Sequence, residues 1–407
     1  MRNSDDYPLL SVEQALEHVL ATVAPLPVVE APILAALDHV LAEDVYAPSD
    51  VPPHANSAMD GYAVRYADLE PGVELPVMGS VAAGHPWVEP LRAGQALRIM
   101  TGAPLPTGAD TVVRFEDATL LDEDGLRVRI DRVPRQGRNV RLAGEDVRAG
   151  QQVLTAGARL RPQEIGMLAS LGKSSVRVHR RPLVAVLSTG DEVASLEQRL
   201  APGQVYDINT YTVAAQIVRA GGEPLVLAPA PDREGDLTAR LRTAMRQADL
   251  IVTSGGVSVG DFDLVKQVLV AEGRMDFWWV NMKPGKPLAF GRLGTVPLLA
   301  LPGNPVAAML SFHLFGRPAL LKMRGLTAWE APSLTAVLAD PVARKDGRRH
   351  YLRVWLEERA GQTLAHLTGD QGSGILSSLT VGRGVAVIPE DCDHLAAGAT
   401  VTVLLMD

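Results

Sequence analysis

A chain of 407 residues with 47% apolar and 21% charged side chains can bury a large core, and its length suggests about two to four domains. A formal net charge of −8 without a long basic run argues against nucleic acid as the main partner and leaves room only for a local basic pocket. The opening MRNSDDYPLL is acidic where a secretory signal is basic, and the most apolar stretch, 296–315, is broken by Pro302, Gly303, Asn304, Pro305 and His313, so a cytoplasmic protein with no membrane partner is expected. The single Cys392 rules out an intrachain disulfide and a thiolate metal cluster.

The first element is an amphipathic helix. Ser11 with Gln14 forms a capping-box signature, and Val12, Leu16, Val19, Leu20 and Val23 recur at helical spacing until Pro25 and Pro27. A second helical pattern runs from Ile33 through Leu37, Val40 and Leu41 and ends near Asp44, before Pro48, Pro52 and Pro53. From there to Arg148, short runs such as LRIM, TVVRF and LRVRI lie between Gly and Pro turns, which predicts an inserted all-β module. Within it, Asp60-Gly61 of HANSAMDGYAVR has the form of a hairpin turn, and RQGRNVRLAGEDV (135–147) suits a salt-bridged junction.

Beyond Arg181 the strands VAVLS, LVLA, LIVTS and LLAL alternate with helical stretches around 209–220, 234–248, 261–272 and 305–323. That alternation predicts a three-layer α/β domain with a mostly parallel sheet. Trp278-Trp279 fits a core or interface position. After Gly325, LTAVLA, HYLRVWLEE and ATVTVLLM predict a small C-terminal β domain.

In an open α/β sheet, ligands bind beyond the carboxyl ends of the strands. Those positions carry Thr189-Gly190-Asp191-Glu192, Asp232, the loop SGGVSVGDFD (254–263) and Pro302-Gly303-Asn304-Pro305. Gly255, Gly256 and Gly260 allow a sharp turn or a close approach to a ligand, with backbone N–H groups facing an anion. Before the last loop, Lys283-Pro284-Gly285-Lys286-Pro287 presents two ammonium groups on a stiff turn. Carboxylates, two lysines and an N–H-rich loop at one sheet edge are what a magnesium-dependent phosphate-ester site needs. Each piece alone equally suits a capped turn or a solvated side chain.

Eight motifs in order, VLAEDV, SAMDGYAV, MTGAPLPTGADTVV, STGDEV, SGGVSVGDFD, KPGKP, LPGNPVA and GDQGSGILSS, resemble the MoeA-type molybdopterin molybdenumtransferases, which include the gephyrin E domain. The resemblance covers essentially the whole chain. It implies an N-terminal helix over 1–26 packing on the α/β domain, a linking domain from 27–46 with 148–178, and an inserted β module over 47–147. An α/β molybdopterin-binding domain over 179–326 and a C-terminal β-barrel-like domain over 327–407 complete the chain. It further implies a homodimer that inserts molybdate into adenylylated molybdopterin and releases AMP, with the molybdopterin adenylyltransferase as a possible partner.

By the same resemblance, Gly255, Gly256, Ser258 and Gly260 hold the nucleotide-side phosphate, and Asp263 and Glu192 are ligands of Mg2+. Lys283 and Lys286 bind the oxyanion, while Pro302, Gly303, Asn304, Pro305 and Ser373 shape the pocket. Asp232 is a further carboxylate, Arg348 and Arg353 are basic residues facing the pocket, and Asp60 and Thr101 reach the site across the dimer. Arg233 replaces a common aspartate, Gly382-Arg383 an Ala-Asn pair, and Asp38 a common glycine. Three alternatives stand beside this reading: a molybdopterin adenylyltransferase, which shares the α/β domain but not the β modules, a peptide-binding scaffold, and tungstate in place of molybdate.

Overall fold

In the computed structural model, residues 8–231, 233–255, 273–343 and 345–406 are described. They divide into two units, one of Met1–Glu30, Asp38–Ala42 and Arg177–Asp407, the other of Ala31–Leu37 and Glu43–Val176. Among the described residues, no helix is long and apolar enough to cross a membrane.

The first unit begins with strand β1 (Leu9–Leu10) and helix α1 (Val12–Ala21), whose capping box forms as the sequence predicts: Gln14 N donates to Ser11 Oγ at 3.1 Å and Ser11 N to Gln14 Oε1 at 2.9 Å. Its further elements are β2 (Leu183–Ser188), α2 (Asn209–Arg219), β3 (Glu223–Val226), α3 (Glu234–Gln247), β4 (Leu250–Ser254), β5 (Gly273–Val280) and β6 (Met282–Lys283). Then come β7 (Pro287–Leu293), β8 (Val296–Leu301), α4 (Pro305–Ser311) and α5 (Arg317–Met323). The seven-stranded sheet has the order β1-β5-β7-β8-β4-β2-β3. Strands β8, β4, β2 and β3 run parallel, while β7 is antiparallel to both of its neighbours.

Period-two alternation sorts the strand residues between two apolar layers. Val184, Val186, Leu250, Val252, Leu299 and Leu301 face one cluster, which α1 joins through Val12, Ala15 and Val19, α2 through Val213 and Ile217, and α5 through Ala319 and Leu320. Ala185, Leu187, Ile251, Leu298 and Ala300 face the other, covered by Leu237, Leu241 and Ala244 of α3. Both faces are dry, which explains why these strands are continuous apolar runs rather than alternating ones. Each buried Val or Leu contributes roughly 1.5–3 kcal/mol.

The C-terminal strands β9 (Ser333–Leu338), β10 (Arg349–Arg359), β11 (Gln362–Leu367), β12 (Gly384–Ile388) and β13 (Thr400–Leu405) close on themselves, because β10 pairs with both β11 and β12. The short β6 adds to this barrel in parallel, Met282 opposite Arg349 and Lys283 opposite His350. The lysine turn thereby joins the α/β sheet to the barrel.

The second unit contains a six-stranded sheet built from 111–114, 61–64, 96–99, 74–81, 127–130 and 118–120, in that order. Tyr62 and Val64 face one apolar cluster, and Ala63 the other. Asp60-Gly61 is not a hairpin turn here. Gly61 opens a central strand paired on both sides, and a Cβ at that position would lie 2.0 Å from the Val113 carbonyl oxygen, so glycine is required by close backbone approach.

The expected second helix is also absent. Residues 33–38 form turns after the strand Val28–Pro32, and the backbone at Val40 and Ala42 bonds to His179 and Arg177 in extended pairing. Ile33 and Leu37 belong to one unit and Val40 and Leu41 to the other, so their helical spacing reflects two separate burial environments. The break lies at Asp38, whose φ of 66° is left-handed and whose carbonyl accepts from the buried Arg324. A left-handed φ is the conformation that glycine adopts at least cost, and Asp is among the few other residues that tolerate it. Asp38→Val is expected to cost about 1–2 kcal/mol, because a β-branched side chain is poorly tolerated there, whereas Asp38→Gly stays near neutral. Thermal denaturation of the two variants side by side checks this.

Candidate active site at the carboxyl edge of the sheet

The parallel register levels three strand ends: Ser188 lies opposite Ser254, and Ser254 opposite Leu301. The loops leaving β2, β4 and β8 therefore start from one edge. Thr189 N donates to Ser254 O at 3.0 Å and Gly255 N to Leu301 O at 3.1 Å, which continues the ladder one residue into the loops. Gly255 has φ 95°, and a Cβ there would lie 2.8 Å from the Thr189 carbonyl oxygen, so the two loops pack backbone to backbone.

Two polar knots fix this edge. The buried Ser188 hydroxyl bonds Asp207 Oδ1 and Thr210 Oγ1, both at 2.8 Å, and Asp207 Oδ1 also accepts from Thr210 N at 3.0 Å. Asn209, the first residue of α2, donates through Nδ2 to Ser254 Oγ and to Gly303 O, each at 2.7 Å, while Ser254 Oγ donates to Pro302 O at 3.2 Å. Asn209 thus ties the β4 loop to the Pro302-Gly303-Asn304-Pro305 loop. Sequence reasoning passed over Asn209 and Asp207. The available signal was their place just before a predicted helix in an α/β alternation, which puts them at the ligand edge.

The lysine turn lies on α4: a side chain at Gly285 would meet Ser311 Oγ at 2.8 Å. Lys286 Nζ sits 4.5 Å from the centroid of the Trp279 ring, a cation–π contact that replaces part of its water shell. Lys283 Nζ is 3.4 Å from Asp346 Oδ2, the same carboxylate that accepts from Arg348 Nη2 at 2.5 Å and bonds the buried His350 Nε2 at 2.7 Å. Burial pushes the Asp346 carboxyl up, but the hydrogen bonds from His350 and Arg348 more than reverse this and hold it well below the usual carboxylate range. Asp346 was not singled out from the sequence, since its lysine partner is 63 residues away.

Ser373 reaches the same helix, its carbonyl accepting from Val306 N at 3.1 Å. Arg353 lies behind it and is 1% exposed; it donates to the carbonyls of Gln371 (3.0 Å), Gly372 (2.9 Å) and Asp370 (3.3 Å) and to Ser378 Oγ (3.0 Å). It shapes the GDQGSG loop, whereas Arg348 stands with Lys283. Glu192 is exposed at the β2 end and has no ion-pair partner among the described residues. Asp232, Gly256, Ser258, Gly260 and Asp263 lie outside the described residues.

In the second unit, Asp60 and Thr101 are directly bonded: the Thr101 backbone N–H and hydroxyl both donate to Asp60 Oδ1 at 2.7 Å. The backbone bond first, then the hydroxyl, holds the exposed Asp60 carboxyl below its ordinary value, so it stays ionised.

Comparison with known proteins matches three regions in order. Residues 10–172 match the MoeA N-terminal region (domain I and II), 185–322 a probable molybdopterin binding domain, and 335–406 the MoeA C-terminal region (domain IV). The chain is 39% identical to the molybdopterin molybdenumtransferase of Haemophilus influenzae over 373 residues, 90% of this chain and 91% of that protein. This chain belongs to the MoeA family of molybdopterin molybdenumtransferases.

Other MoeA-family relatives agree. Molybdopterin molybdenumtransferase 2 of Mycobacterium tuberculosis is 38% identical over 383 residues, 91% of this chain and 93% of its own length. Two solved MoeA proteins from Pyrococcus horikoshii have TM-scores of 0.84 and 0.82, with 34% and 28% identity; each covers 98% of this chain, and this chain covers 99% and 100% of them. The match reaches well beyond the α/β domain on both sides, which separates this chain from a stand-alone α/β protein.

The lysine network at this MoeA site makes a stability prediction. A carboxylate held below its ordinary value contributes stability that is complete above about pH 4 and is lost as pH falls through the depressed value. Asp346→Asn is expected to lower stability at pH 7 by about 1 kcal/mol, a solvent-screened figure for a partly exposed cluster. The gap to the parent should narrow steadily below about pH 4, read by urea denaturation across a pH series.

Proposed function

We propose that this protein inserts molybdate into adenylylated molybdopterin in molybdenum cofactor biosynthesis, cleaving the adenylyl group and releasing AMP. The observation that carries the reading is the attachment of the Lys283–Lys286 turn to the barrel strand β10, with Lys283 and Arg348 gathered on Asp346 and Lys286 held over Trp279. Two ammonium groups on one short turn, with a guanidinium brought beside them from the start of β10, suit a small dianion. The curated relatives bear the name molybdopterin molybdenumtransferase.

The chain's own groups divide the work. Lys286, exposed and positioned over the Trp279 indole, presents its ammonium group to molybdate. Lys283 is held near the oxyanion by Asp346 and exchanges that partner for the incoming anion. Gly255, Gly256, Ser258 and Gly260 present backbone and hydroxyl donors to the adenylyl phosphate, and Pro302, Gly303, Asn304, Pro305 and Ser373 bound the pocket. Asp60, kept ionised by Thr101, is brought to the site from the β module of a second copy in a homodimer, and Asp232 adds a carboxylate.

Magnesium fits this edge. Glu192 is a hard oxygen donor, exposed at a strand end and free of ion pairs among the described residues, and with Asp263 it would hold the ion. When bound, Mg2+ supplies Lewis-acid polarisation of the phosphate link. The adenylylated substrate implies a molybdopterin adenylyltransferase upstream, and a cytoplasmic location accords with both substrates.

If Asp263 and Glu192 hold magnesium while the lysines hold the oxyanion, the two groups fail differently. Asp263→Asn should lose AMP release in a way that raised magnesium partly restores, with molybdate dependence nearly unchanged. Lys286→Gln should raise the molybdate requirement about tenfold or more, with no rescue by magnesium. A two-way titration of magnesium and molybdate, repeated with tungstate, decides; identical dependence in both variants would refute the division of roles.

The dimer reading is supported by the exposed apolar residues Leu196, Leu200, Val205, Tyr206, Ile208 and Tyr211, all between 40% and 53% exposed. In mixed dimers, Asp60→Ala subunits combined with Lys286→Ala subunits should regain activity, since one of the two composite sites is then intact. Heterodimers no more active than either parent would rule out shared sites.

A further inference from the structure

The carboxylate of Asp346 is fixed from two sides. Asn281 Nδ2 donates to Gly347 O at 3.1 Å and Arg349 N donates to Asn281 O at 3.0 Å, which pins the backbone after Asp346 to the residue two places before Lys283. The side chain is held by His350, 2% exposed, whose Nε2 bonds Oδ1 at 2.7 Å. The second oxygen, Oδ2, is left to Lys283 Nζ at 3.4 Å and Arg348 Nη2 at 2.5 Å.

Among the described residues, Asp346 is the one acid that pairs with Lys283 or Arg348, because Arg349 takes both Glu13 and Glu390. Lys286 differs: it lies over the Trp279 ring and has no carboxylate partner among the described residues. A carboxylate oxygen shared by an ammonium and a guanidinium makes the contacts that one oxygen of a bound oxyanion would make.

We propose that Asp346 sets the affinity of the site for the oxyanion, its carboxylate competing with molybdate for Lys283 and Arg348. This rests on the reading of the lysine turn as the oxyanion site. Molybdate displaces Oδ2 from both cations and then lies beside a negative charge that His350 keeps in place. Coulomb energy scales with the product of the charges, so a dianion is opposed more than a monoanion. A carboxylate that only oriented the two cations would act in the opposite sense. Without it, the long Lys283 and Arg348 side chains would have to be ordered by the ligand, and binding would weaken.

The sign of one substitution separates the two roles. Asp346→Asn keeps the size and removes the charge. Calorimetric titration of the full chain at low ionic strength should show this variant binding molybdate about tenfold more tightly than the parent, and nitrate only about threefold more tightly. Urea denaturation of the same samples should show the variant to be less stable, so affinity and stability move in opposite directions, which a general loosening of the fold does not produce. Lys286→Gln serves as the control for the site itself and should weaken molybdate binding. If it does, but Asp346→Asn binds molybdate no more tightly than the parent, or gains equally for nitrate and molybdate, competition is refuted while the oxyanion site stands. If Lys286→Gln leaves molybdate affinity unchanged, the reading of the site fails and the competition with it.

Discussion

The carboxyl edge of the sheet depends on register. Because β2, β4 and β8 run parallel with Ser188, Ser254 and Leu301 level, their three loops begin at one height, and a slip of one residue would turn every side chain to the other face. The two apolar layers oppose such a slip, since Val184, Val186 and Val252 cannot exchange places with Ala185, Leu187 and Ile251 without changing the side-chain volume at each position, smaller at the first and larger at the other two, in both clusters. Asn209 then converts a level edge into a braced one. Its single amide donor group spans from the end of β4 to the loop after β8, so two segments 48 residues apart in sequence move as one body.

A second constraint fastens the barrel to this edge. Both residues of β6 extend the barrel ladder, and the second, Lys283, begins the lysine turn, so backbone hydrogen bonds fix where the first lysine leaves the chain. Asp346 then collects Lys283, Arg348 and His350 around one carboxylate, and Arg349, the next residue, is turned the other way toward Glu13 and Glu390. Alternation along β10 therefore assigns successive basic residues to different tasks, with Arg353 buried beneath the GDQGSG loop.

Much of this was legible from the sequence for physical reasons that can be named. The capping pair Ser11 and Gln14, the apolar runs of β2, β4 and β8 and the turn chemistry between them are local signals, and local signals survive folding. Failures occurred where tertiary pairing overrode a local pattern. Ile33 to Leu41 has helical spacing, yet the residues serve two units and the chain turns through Asp38 in a left-handed conformation. Asp60-Gly61 has hairpin composition, yet the glycine is demanded by the neighbouring Val113 carbonyl. At the site, residue types at strand ends pointed to the loops, but neither the brace made by Asn209 nor the gathering of Lys283 on Asp346 could be foreseen, because each depends on strands meeting that are far apart in the chain. Arg353 has the composition of a pocket cation, and only its burial among carbonyls shows that its charge is already committed.

That burial has a consequence for how the GDQGSG loop responds to its surroundings. The Arg353 guanidinium is solvated by the oriented dipoles of three carbonyls and a hydroxyl, none of which titrates in water's accessible range, with the Asp370 carboxylate as its charged neighbour. A loop clamped only by an ion pair loosens when its carboxylate is protonated or when salt screens the attraction, whereas here the neutral acceptors of Arg353 remain and only the contribution of Asp370, which accepts from Gly372 N at 2.9 Å, is exposed to either change. Ser373 and its neighbours thus keep their shape across conditions that perturb the exposed charges around them, giving the pocket one wall that acts as a fixed ruler while the opposite wall is electrically soft.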